Sequence, residues 1–365
     1  MQTDIIAVPK FGMDRTVVDR PLAARLGVAW QARLTGFNRP DIRLDTVGGG
    51  ALITAAEHGV LSVGADAPRL EPGTDLWPVK VRVCGGSIPG GLLAADTAGT
   101  VFRLIPGTEP APVWHSRRSQ YDVSVVALPG GQLVSSENDG GAWGQTELID
   151  DSTGAIVWTS GRTLSVPMPV DDQLVSEGSY KGLTGLKGEL VSLDMKTGEE
   201  RWSRPHALPR GSRLLAVVNG VLWVQVSWRS NRLLGFATED GRSVGDVALP
   251  RESRDTFALD ASGTLHIGDE HGWSTVDLTQ GLMTADVRFA VPGCGTVYAN
   301  RTLRSADGRL LFADDRGQIF VVHPDLPQRP ELVTTLPSIR TFGIAAGQLV
   351  VLSFDGTLTA LGTPA

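Results

Sequence analysis

The sequence contains little cysteine and no long apolar run. Its 365 residues include two cysteines, Cys84 and Cys294, and neither belongs to a CxxC pair or to a metal-ligand spacing. No run reaches the roughly 18 apolar residues that a membrane helix needs. The first twenty residues carry Asp4, Lys10 and Asp14 where a signal peptide would be apolar. These absences predict a cytoplasmic protein with no metal site and no membrane partner.

The chain also lacks an excess of positive charge, and its formal net charge is −7. An acidic chain of this kind is not a general nucleic-acid binder, so we expect no nucleic-acid partner. Arginine outnumbers lysine 28 to 5, which is typical of a bacterial-type protein from a GC-rich genome. The 44 glycines and 22 prolines separate short apolar runs. This pattern favours many strands joined by tight turns.

Two stretches in the middle of the chain repeat one theme. ELIDDSTGAIVW, ending at Trp158, aligns with ELVSLDMKTGEERW, ending at Trp202, and the two tryptophans are 44 residues apart. A period of this length is typical of a propeller, in which each repeat forms one four-stranded blade. The repeat therefore predicts the architecture before it predicts any function.

Eight short apolar segments occupy the third-strand position of such repeats, and several alternate apolar and polar residues as half-buried strands do. We therefore predict an all-β fold, an eight-bladed β-propeller of four-stranded antiparallel blades in a single domain over residues 1–365. The predicted blades cover residues 41–82, 83–118, 121–160, 162–204, 213–249, 254–290, 300–336 and 340–365.

The last repeat stops after its third strand. Residues 28–34 resemble the missing fourth strand, and Trp30 stands at the place of Trp158 and Trp202. We predict that this segment pairs with the last blade and closes the ring, because the pairing covers two sheet edges. Residues 1–27 are then an N-terminal extension. In two later repeats Gly245 and Ala285 stand near the tryptophan position.

The recurring motif is Leu-x-x-x-Asp-x-x-x-Gly-x-x-x-Trp, from Leu190 through Asp194 and Gly198 to Trp202. With this motif the chain resembles the PQQ-like eight-bladed propellers, which include quinoprotein alcohol dehydrogenases and BamB-type outer-membrane assembly proteins. In that family the tryptophan docks one blade against the next. The motif specifies blades rather than chemistry. The resemblance implies this docking role for Trp30, Trp114, Trp158 and Trp202.

The enzymes of that family typically have adjacent cysteines under the quinone, a set of calcium ligands and a longer chain. Here Cys84 and Cys294 are single, and no carboxylate and amide set for calcium can be assigned. BamB-type members are usually lipoproteins, and this sequence has no lipobox. We therefore expect no PQQ, no other cofactor and no outer-membrane role.

No catalytic motif rises above the background. The six histidines lack the HExxH spacing, and the sequence has no GxSxG elbow and no P-loop. His58 and His271 share a repeat position beside a turn glycine, which predicts solvated turn residues. Both would lie on one face of the propeller, so they are the candidates if the protein has a catalytic residue at all.

A recurrent arginine precedes the innermost strand of most repeats. Innermost strands line the channel of a propeller, so a ring of guanidinium groups at its mouth could bind an anion with bidentate geometry. Alternatively, each arginine pairs with a nearby acid such as Asp41 or Asp255. The candidate anion-binding residues are Arg43, Arg162, Arg213, Arg254, Arg301 and Arg340.

The connections between second and third strands are long in three consecutive repeats. They cover residues 138–145, 179–188 and 228–231, where other repeats turn in two to four residues. Neighbouring blades would place these loops side by side, and loops on a rigid scaffold often carry function. Tolerated insertion is the alternative. The candidate partner-binding residues are Trp143, Tyr180, Lys181, Lys187, Trp228 and Arg229.

Two functions follow from these features. The first is a monomeric, non-enzymatic scaffold that binds a protein or peptide through the long-loop face of blades 3–5, and we favour it because catalytic motifs are absent. The second is a cofactor-independent lyase, cyclase or hydrolase of a biosynthetic type, acting on an anionic small molecule at the arginine-lined channel mouth. The sequence does not decide between them.

Overall fold

The computed structural model of the protein consists almost entirely of β-strands and turns. The residues that the structure describes are 5–7, 22–34, 42–47, 50–55, 59–69, 76–77, 81–88, 91–96, 98, 100–115, 122–128, 132–138, 144–150, 153–164, 167–179, 189–205, 207–208, 212–226, 231–250, 257–269, 271–289, 291 and 293–363.

Contacts divide the chain into two compact units. Unit 1 comprises Met1–Phe11 and Val79–Ala248, and unit 2 comprises Gly12–Pro78 and Leu249–Ala365. Strands are numbered along the chain. Those of unit 1 are β1 (Ile5–Ala7), β7 (Val81–Ile88), β8 (Gly91–Asp96), β9 (Thr100–Leu104), β10 (Ala111–His115), β11 (Asp122–Leu128), β12 (Gln132–Asn138), β13 (Gly144–Asp150), β14 (Ile156–Ser160), β15 (Thr163–Leu164), β16 (Met168–Val170), β17 (Gln173–Ser179), β18 (Glu189–Asp194), β19 (Glu200–Pro205), β20 (Arg213–Val218), β21 (Val221–Gln225), β22 (Arg232–Ala237) and β23 (Ser243–Ala248).

The strands of unit 2 come from both ends of the chain. They are β2 (Gly27–Arg33), β3 (Ile42–Val47), β4 (Gly50–Ala55), β5 (Gly59–Val63), β6 (Leu76–Trp77), β24 (Phe257–Leu259), β25 (Thr264–Asp269), β26 (Gly272–Asp277), β27 (Leu282–Arg288), β28 (Val297–Arg304), β29 (Leu310–Asp314), β30 (Gln318–Val322), β31 (Glu331–Thr335), β32 (Ile339–Ala345), β33 (Gln348–Ser353) and β34 (Thr357–Gly362).

These strands form antiparallel sheets, numbered here along the chain. Sheets 1, 2 and 3 are β3–β6, β7–β10 and β11–β14; sheets 6 and 7 are β24–β27 and β28–β31; sheet 8 is β32–β34 completed by β2. Sheet 4 (β15–β19) and sheet 5 (β20–β23 with β1) each have five strands. The fold is therefore an all-β propeller type with four-stranded antiparallel blades.

The prediction of eight four-stranded blades is correct for six sheets and wrong for sheets 4 and 5. In sheet 4 the first strand is split into β15 and β16, which both pair with β17. Pro167 and Pro169 lie at this break, and proline cannot donate a ladder hydrogen bond. In sheet 5 the extra strand is β1, which lies within the predicted N-terminal extension of residues 1–27. The closed eight-bladed ring stays a prediction.

Apolar side chains fill the space between successive sheets. In unit 1, Leu148 and Trp158 of sheet 3 pack with Leu174 and Val191 of sheet 4. A second cluster joins sheet 4 to sheet 5. In unit 2, equivalent clusters join sheet 6 to 7, sheet 7 to 8, and sheet 8 to 1. Face-to-face packing of small antiparallel sheets is the arrangement of propeller blades, and it positions the strand connections at the sheet ends.

The pairing between third and fourth strands skips one residue of the fourth strand, as a β-bulge does. In sheet 3, Trp158 faces Leu148 and Ile156 faces Ile149, so Val157 is the extra residue. The same irregularity is present in seven sheets, counting sheet 3. The residue that follows the extra one is Trp30, Trp114, Trp158, Trp202, Gly245, Ala285 or Thr334.

The N-terminal strand β2 pairs with β34 along its length, and Trp30 faces Ala360. The predicted pairing of residues 28–34 with the last repeat is thus present in sheet 8. Just before β2, Arg309 donates from Nη1 to the carbonyl of Ala23 at 3.0 Å and from Nη2 to that of Leu22 at 2.8 Å. These bonds fasten the segment before β2 to the first hairpin of sheet 7.

Candidate functional site

Trp158 and Trp202 each contact the sheet that follows their own. The indole Nε1 of Trp158, on β14, donates to the carbonyl of Met195 in sheet 4 at 2.9 Å. The indole Nε1 of Trp202, on β19, donates to the carbonyl of Thr238 in sheet 5 at 3.0 Å. Both carbonyls belong to the turn between the third and fourth strands. Each indole therefore joins one sheet to the next.

A glycine in that turn lies against each ring. Gly198 and Gly241 have φ angles of 73° and 70°. A Cβ on Gly198 would lie 2.5 Å from Cε3 of Trp158, and one on Gly241 would lie 2.6 Å from Cζ3 of Trp202. Glycine alone tolerates both the positive φ and this approach. Asp194 Oδ1 accepts two backbone N–H bonds within the first of these turns and so fixes its shape.

Trp30 uses the same kind of bond in unit 2. Its Nε1 lies 2.9 Å from the carbonyl oxygen of Ala65, just after the third strand of sheet 1, and 3.1 Å from Oε1 of Gln348. Trp114 is half-buried at the corresponding place on β10. A Cβ on Gly154, the turn glycine of the next sheet, would meet no atom within 4 Å. The Trp114 ring therefore does not lie against its turn glycine.

Sheets 5 and 6 lack tryptophan after the bulge and bury an indole elsewhere. In sheet 5, Trp223 of β21 covers Gly235 and Gly245, and a Cβ on Gly245 would lie 2.7 Å from its Cη2. In sheet 6, Trp273 of β26 covers Gly268, where a Cβ would lie 2.1 Å from Cζ3. Both tryptophans are buried. In sheets 5 and 6 the buried indole thus belongs to the second or third strand of the sheet instead of the fourth.

Among the predicted anion-binding residues, Arg162 is held by carboxylates. Its Nη1 donates to Glu189 Oε2 at 3.1 Å, and its Nη2 pairs with Glu200. Glu189 is only 1% exposed, so the guanidinium neutralises a buried charge. For Arg162 the structure matches the alternative of an arginine paired with acids, although these acids are 27 and 38 residues away in sequence rather than adjacent.

The other arginines are placed differently. Arg213 is exposed at the start of β20. The Cζ of Arg340, at the start of β32, lies 6.0 Å from the centroid of the Phe354 ring, which is a cation–π distance. Arg43 and Arg301 lie within β3 and β28. A ring of anion-binding arginines stays a prediction.

The strand ends give the lengths of the long connections. Five, nine and six residues separate the second and third strands of sheets 3, 4 and 5, at 139–143, 180–188 and 226–231. The other five sheets have two or three residues there. His271 is exposed in such a short turn of sheet 6. The candidates that lie outside the described residues are His58, Trp143, Tyr180, Lys181, Lys187, Trp228, Arg229 and Arg254, with Asp41 and Asp255.

Buried polar contacts hold the strand ends beside the long connections of sheets 3 and 4. Thr146 Oγ1 donates to the carbonyl of Arg162 at 2.7 Å, and Gln145 Nε2 donates to Glu147 Oε1 at 2.6 Å. Thr146 and Glu147 are both buried. On β17, burial raises the pKa of Glu177. The connections at 139–143 and 180–188 therefore begin and end on strands fixed by internal hydrogen bonds.

A buried polar cluster in unit 2 was not predicted from any motif of the sequence. Asp260 Oδ2 lies 3.1 Å from His266 Nε2 and 3.6 Å from Arg304 Nη1. Its Oδ1 accepts the hydroxyl of Ser262 and the amide of Thr264. Burial raises the pKa of Asp260, but the hydrogen bonds, that from His266 first, outweigh burial and hold the pKa well below its ordinary value. The carboxylate thus stays charged and ties sheet 6 to sheet 7.

Within the described ranges no helix has the length and apolar character to cross a membrane. In the same part of the chain, no three His, Cys, Asp or Glu side chains come together in a way that could hold a metal ion.

Solved propeller structures have a fold similar to this one. BamB from Moraxella catarrhalis matches with a TM-score of 0.55 and 15% identity, over 92% of this chain and 99% of that chain. The computationally designed Ika8 protein matches with a TM-score of 0.57 and 15% identity, over 90% of this chain and 98% of that one. The quinohemoprotein alcohol dehydrogenase from Comamonas testosteroni matches with a TM-score of 0.59 and 11% identity, over 98% and 81%.

At these identities the similarity shows the fold alone. No protein-family model matches the sequence, and no curated protein matches it. The resemblance to PQQ-like propellers is therefore confirmed for the propeller type of fold but not for eight four-stranded blades, and function has to be argued from the residues.

Proposed function

We propose that the protein is a non-enzymatic propeller scaffold that binds a protein or peptide partner through the long connections of sheets 3, 4 and 5. The observation that carries this proposal is their clustering: three successive sheets of unit 1 have connections of five to nine residues where every other sheet has two or three. Successive antiparallel sheets present equivalent connections at equivalent strand ends, so the three can contact one partner together.

The base of these connections supports a binding role. Thr146, Glu147 and Glu189 are buried beside them, and Arg162 links the ends of sheets 3 and 4 through its bonds to Thr146 and Glu189. A loop that starts from a rigid base loses less conformational entropy on binding than a loop on a mobile one. Trp143, Tyr180 and Trp228 supply the aromatic side chains that commonly anchor interfaces.

Similar structures include BamB, and the BamB-type propellers of the resemblance are assembly proteins rather than enzymes. The similarity is consistent with a scaffold, but an alcohol dehydrogenase is similar to the same degree, so the choice between scaffold and enzyme rests on the residues. The enzymatic alternative has less support, because Arg162 is committed to Glu189 and Glu200. We propose further that the scaffold is a monomer in the cytoplasm and that its partner is neither a nucleic acid nor a membrane.

Photo-crosslinking identifies the partner and the surface in one experiment. A photoreactive amino acid is placed at positions 143, 181 and 228, and at the exposed turn positions Thr153 and Lys196 as controls. In cells that express the full chain, we expect one protein or peptide to crosslink from the first three positions and not from the controls. Equal crosslinking from all five positions would contradict a binding face at the long connections.

The purified partner then tests the anchoring residues. Because truncation of interface hot spots costs at least about 2 kcal/mol, the variant W143S/W228S should bind at least about 30-fold more weakly in calorimetry. The matched control is Val157→Ser, which changes another exposed apolar residue of unit 1, on β14. This control should leave the affinity unchanged.

A further inference from the structure

The strand β1 extends sheet 5 along the edge of β20 that faces away from β21. It runs antiparallel to β20, with Ile5 opposite Val218, Ile6 opposite Val217 and Ala7 opposite Ala216. It also contacts β16 of the neighbouring sheet. Sheet 5 has a complete set of four strands without it, from β20 to β23. The strand β1 is therefore an addition to the four-stranded repeat. Among the described residues, no other sheet has an extra strand from a distant part of the chain along its first strand.

The edge of β20 has no charge and no proline beyond its first residue, although its pairing with β21 shifts register between Leu214 and Ala216, as at a bulge. From Leu214 to Val218 it consists of five consecutive apolar residues, each no more than 5% exposed. Natural sheet edges are usually protected by charges, prolines or bulges, because an unprotected edge pairs with any available strand. Five other first strands carry such a residue beyond their first position, namely Asp45, Arg82, Pro169, Arg301 and Arg340.

The chain's own strand uses only part of this edge. Its three residues face Ala216 to Val218, and β20 itself begins three residues earlier, at Arg213. In the sequence Pro9 follows soon after β1, and proline cannot continue a ladder on its N–H side. A strand of five or six residues could therefore pair with more of β20 than β1 does. What favours β1 is its tether, which gives an effective concentration on the order of millimolar.

From this geometry we infer that the edge of β20 opposite β21 is a second recognition site, which takes an extended apolar segment of another polypeptide by antiparallel strand addition. In such binding the main-chain hydrogen bonds supply affinity, and a segment without charges suits an edge without charges. The chain's own β1 occupies the site until a longer strand replaces it, so β1 is an autoinhibitory contact. This site is distinct from the long connections of the proposed function, and either can fail without the other.

Release of β1 in the full chain tests the competition. The variant I5P/I6P removes both adjacent N–H groups of β1, one of which points to β20 in an antiparallel pair. The probe is a fluorescein-labelled synthetic peptide with the sequence of residues 3–8, TDIIAV. We expect the released variant to bind this probe at least tenfold more tightly than the wild type in fluorescence anisotropy. The matched control I5V/I6V keeps β-propensity and should bind as the wild type does.

An engineered disulfide that holds β1 on β20 tests the opposite case, in which β1 cannot leave the edge. Ile5 faces Val218 and Ile6 faces Val217, and one of two adjacent antiparallel pairs has the short Cα separation of about 4.5 Å that suits a disulfide. Of the variants I5C/V218C and I6C/V217C, the one that crosslinks should bind the probe at least tenfold more weakly when oxidised. Reduction should restore wild-type binding.

These experiments test the site at β20 without testing the binding face at the long connections. A released variant that binds the probe no more tightly than I5V/I6V overturns it, and so does a lock that leaves binding unchanged. Circular dichroism and thermal unfolding check that the strand content and cooperative folding of the protein are kept. If the prolines disrupt the fold, I5D/I6D releases β1 by charge instead and is judged by the same tenfold criterion. Crosslinking from positions 143, 181 and 228 should be the same in all these variants.

Discussion

Single tryptophan side chains connect successive sheets of unit 1. Trp158 and Trp202 place an indole over the turn glycine of the following sheet and donate to a carbonyl of the same turn. The repeat in the sequence was sufficient to select both residues. It did not select Trp77, which is buried on β6 and faces Val60. The longer segment between β5 and β6 moves Trp77 out of the repeat spacing, so a search at fixed period misses it.

The acid partners of Arg162 show a second limit at the residue scale. A sequence reader looks for a charge partner among neighbours, as in the pairs suggested with Asp41 and Asp255. The observed partners, Glu189 and Glu200, begin the third and fourth strands of sheet 4, and Arg162 lies in the link just before β15 of the same sheet. Their distance from Arg162 depends on how the strands of the sheet are arranged, and the sequence alone does not give that distance.

Replacement of Asp260 tests the buried cluster. At pH 7 we expect D260N to lower the free energy of unfolding by about 2–4 kcal/mol, because the uncompensated Arg304 remains partly buried. The folded-state pKa of Asp260 is lowered, so its contribution is present above the unfolded pKa of about 4 and is lost as the pH falls through the lower folded pKa. The measurement is urea denaturation of both proteins between pH 8 and pH 3.

The control for this prediction is Asp240→Asn. Asp240 lies 3.7 Å from Arg242, and both side chains are largely exposed. Exposed pairs of this kind contribute little, so D240N should unfold as the wild type does at every pH. A gap between wild type and D260N that does not narrow below about pH 4 would show that charge on Asp260 is not the stabilising feature.

At the scale of single elements, the turn between third and fourth strands sets how closely sheets approach. Gly198 and Gly154 occupy this turn in sheets 4 and 3, with φ angles of 73° and 68°. Gly198→Ala should cost about 2–4 kcal/mol, since it adds overpacking against Trp158 to backbone strain. Gly154→Ala meets no atom within 4 Å and should cost only about 1 kcal/mol. Thermal unfolding of both variants measures the difference, and equal losses would mean that ring contact adds nothing.

The bulge before the tryptophan position explains which elements the sequence could predict. A motif of Asp, Gly and Trp at fixed spacing identifies the third and fourth strands of sheets 3 and 4. In sheets 5 and 6 the bulge persists while the tryptophan is replaced by Gly245 and Ala285. Trp223 lies against Gly245 from the second strand of sheet 5, whereas Trp273 lies against Gly268 in sheet 6. A linear motif cannot register a tryptophan that lies on another strand of the sheet.

At the scale of the whole molecule, successive sheets pack on each other within each of the two units, so coupling between variants should follow these contacts. In unit 1, W158F and G198A change the same contact between sheets 3 and 4. Phenylalanine lacks the second ring that a Cβ on residue 198 would strike, so the double variant W158F/G198A should lose at least about 1 kcal/mol less than the sum of its parts.

The comparison cycle uses a contact one sheet further on. Gly241 packs on Trp202 between sheets 4 and 5, and no ring atom of Trp158 is among its nearest neighbours. The double variant W158F/G241A should therefore be additive to within about 0.5 kcal/mol in denaturant unfolding. Strong coupling in this second cycle would mean that strain spreads through sheet 4 rather than staying at one contact.

The large-scale organisation was predictable because it repeats, whereas the local exceptions were not. Eight copies of a weak pattern together predict many antiparallel strands, and the pairing of residues 28–34 with the last repeat followed from a missing fourth strand. The strand β1 was not predicted, since IIAV is a short apolar run with no counterpart elsewhere in the chain. It pairs with β20 in sheet 5 alone, so the repeat pattern carries no information about this pairing.

The pairing of β2 with β34 has a consequence for how the protein is made. About 320 residues separate the two strands, and at roughly 5–20 residues per second a ribosome takes about 16–65 s to span them. For that time β2 has been synthesised but its partner has not. Sheet 8 therefore cannot be completed before β34 has been synthesised, and until then the edge of β2 that faces β34 lacks that partner.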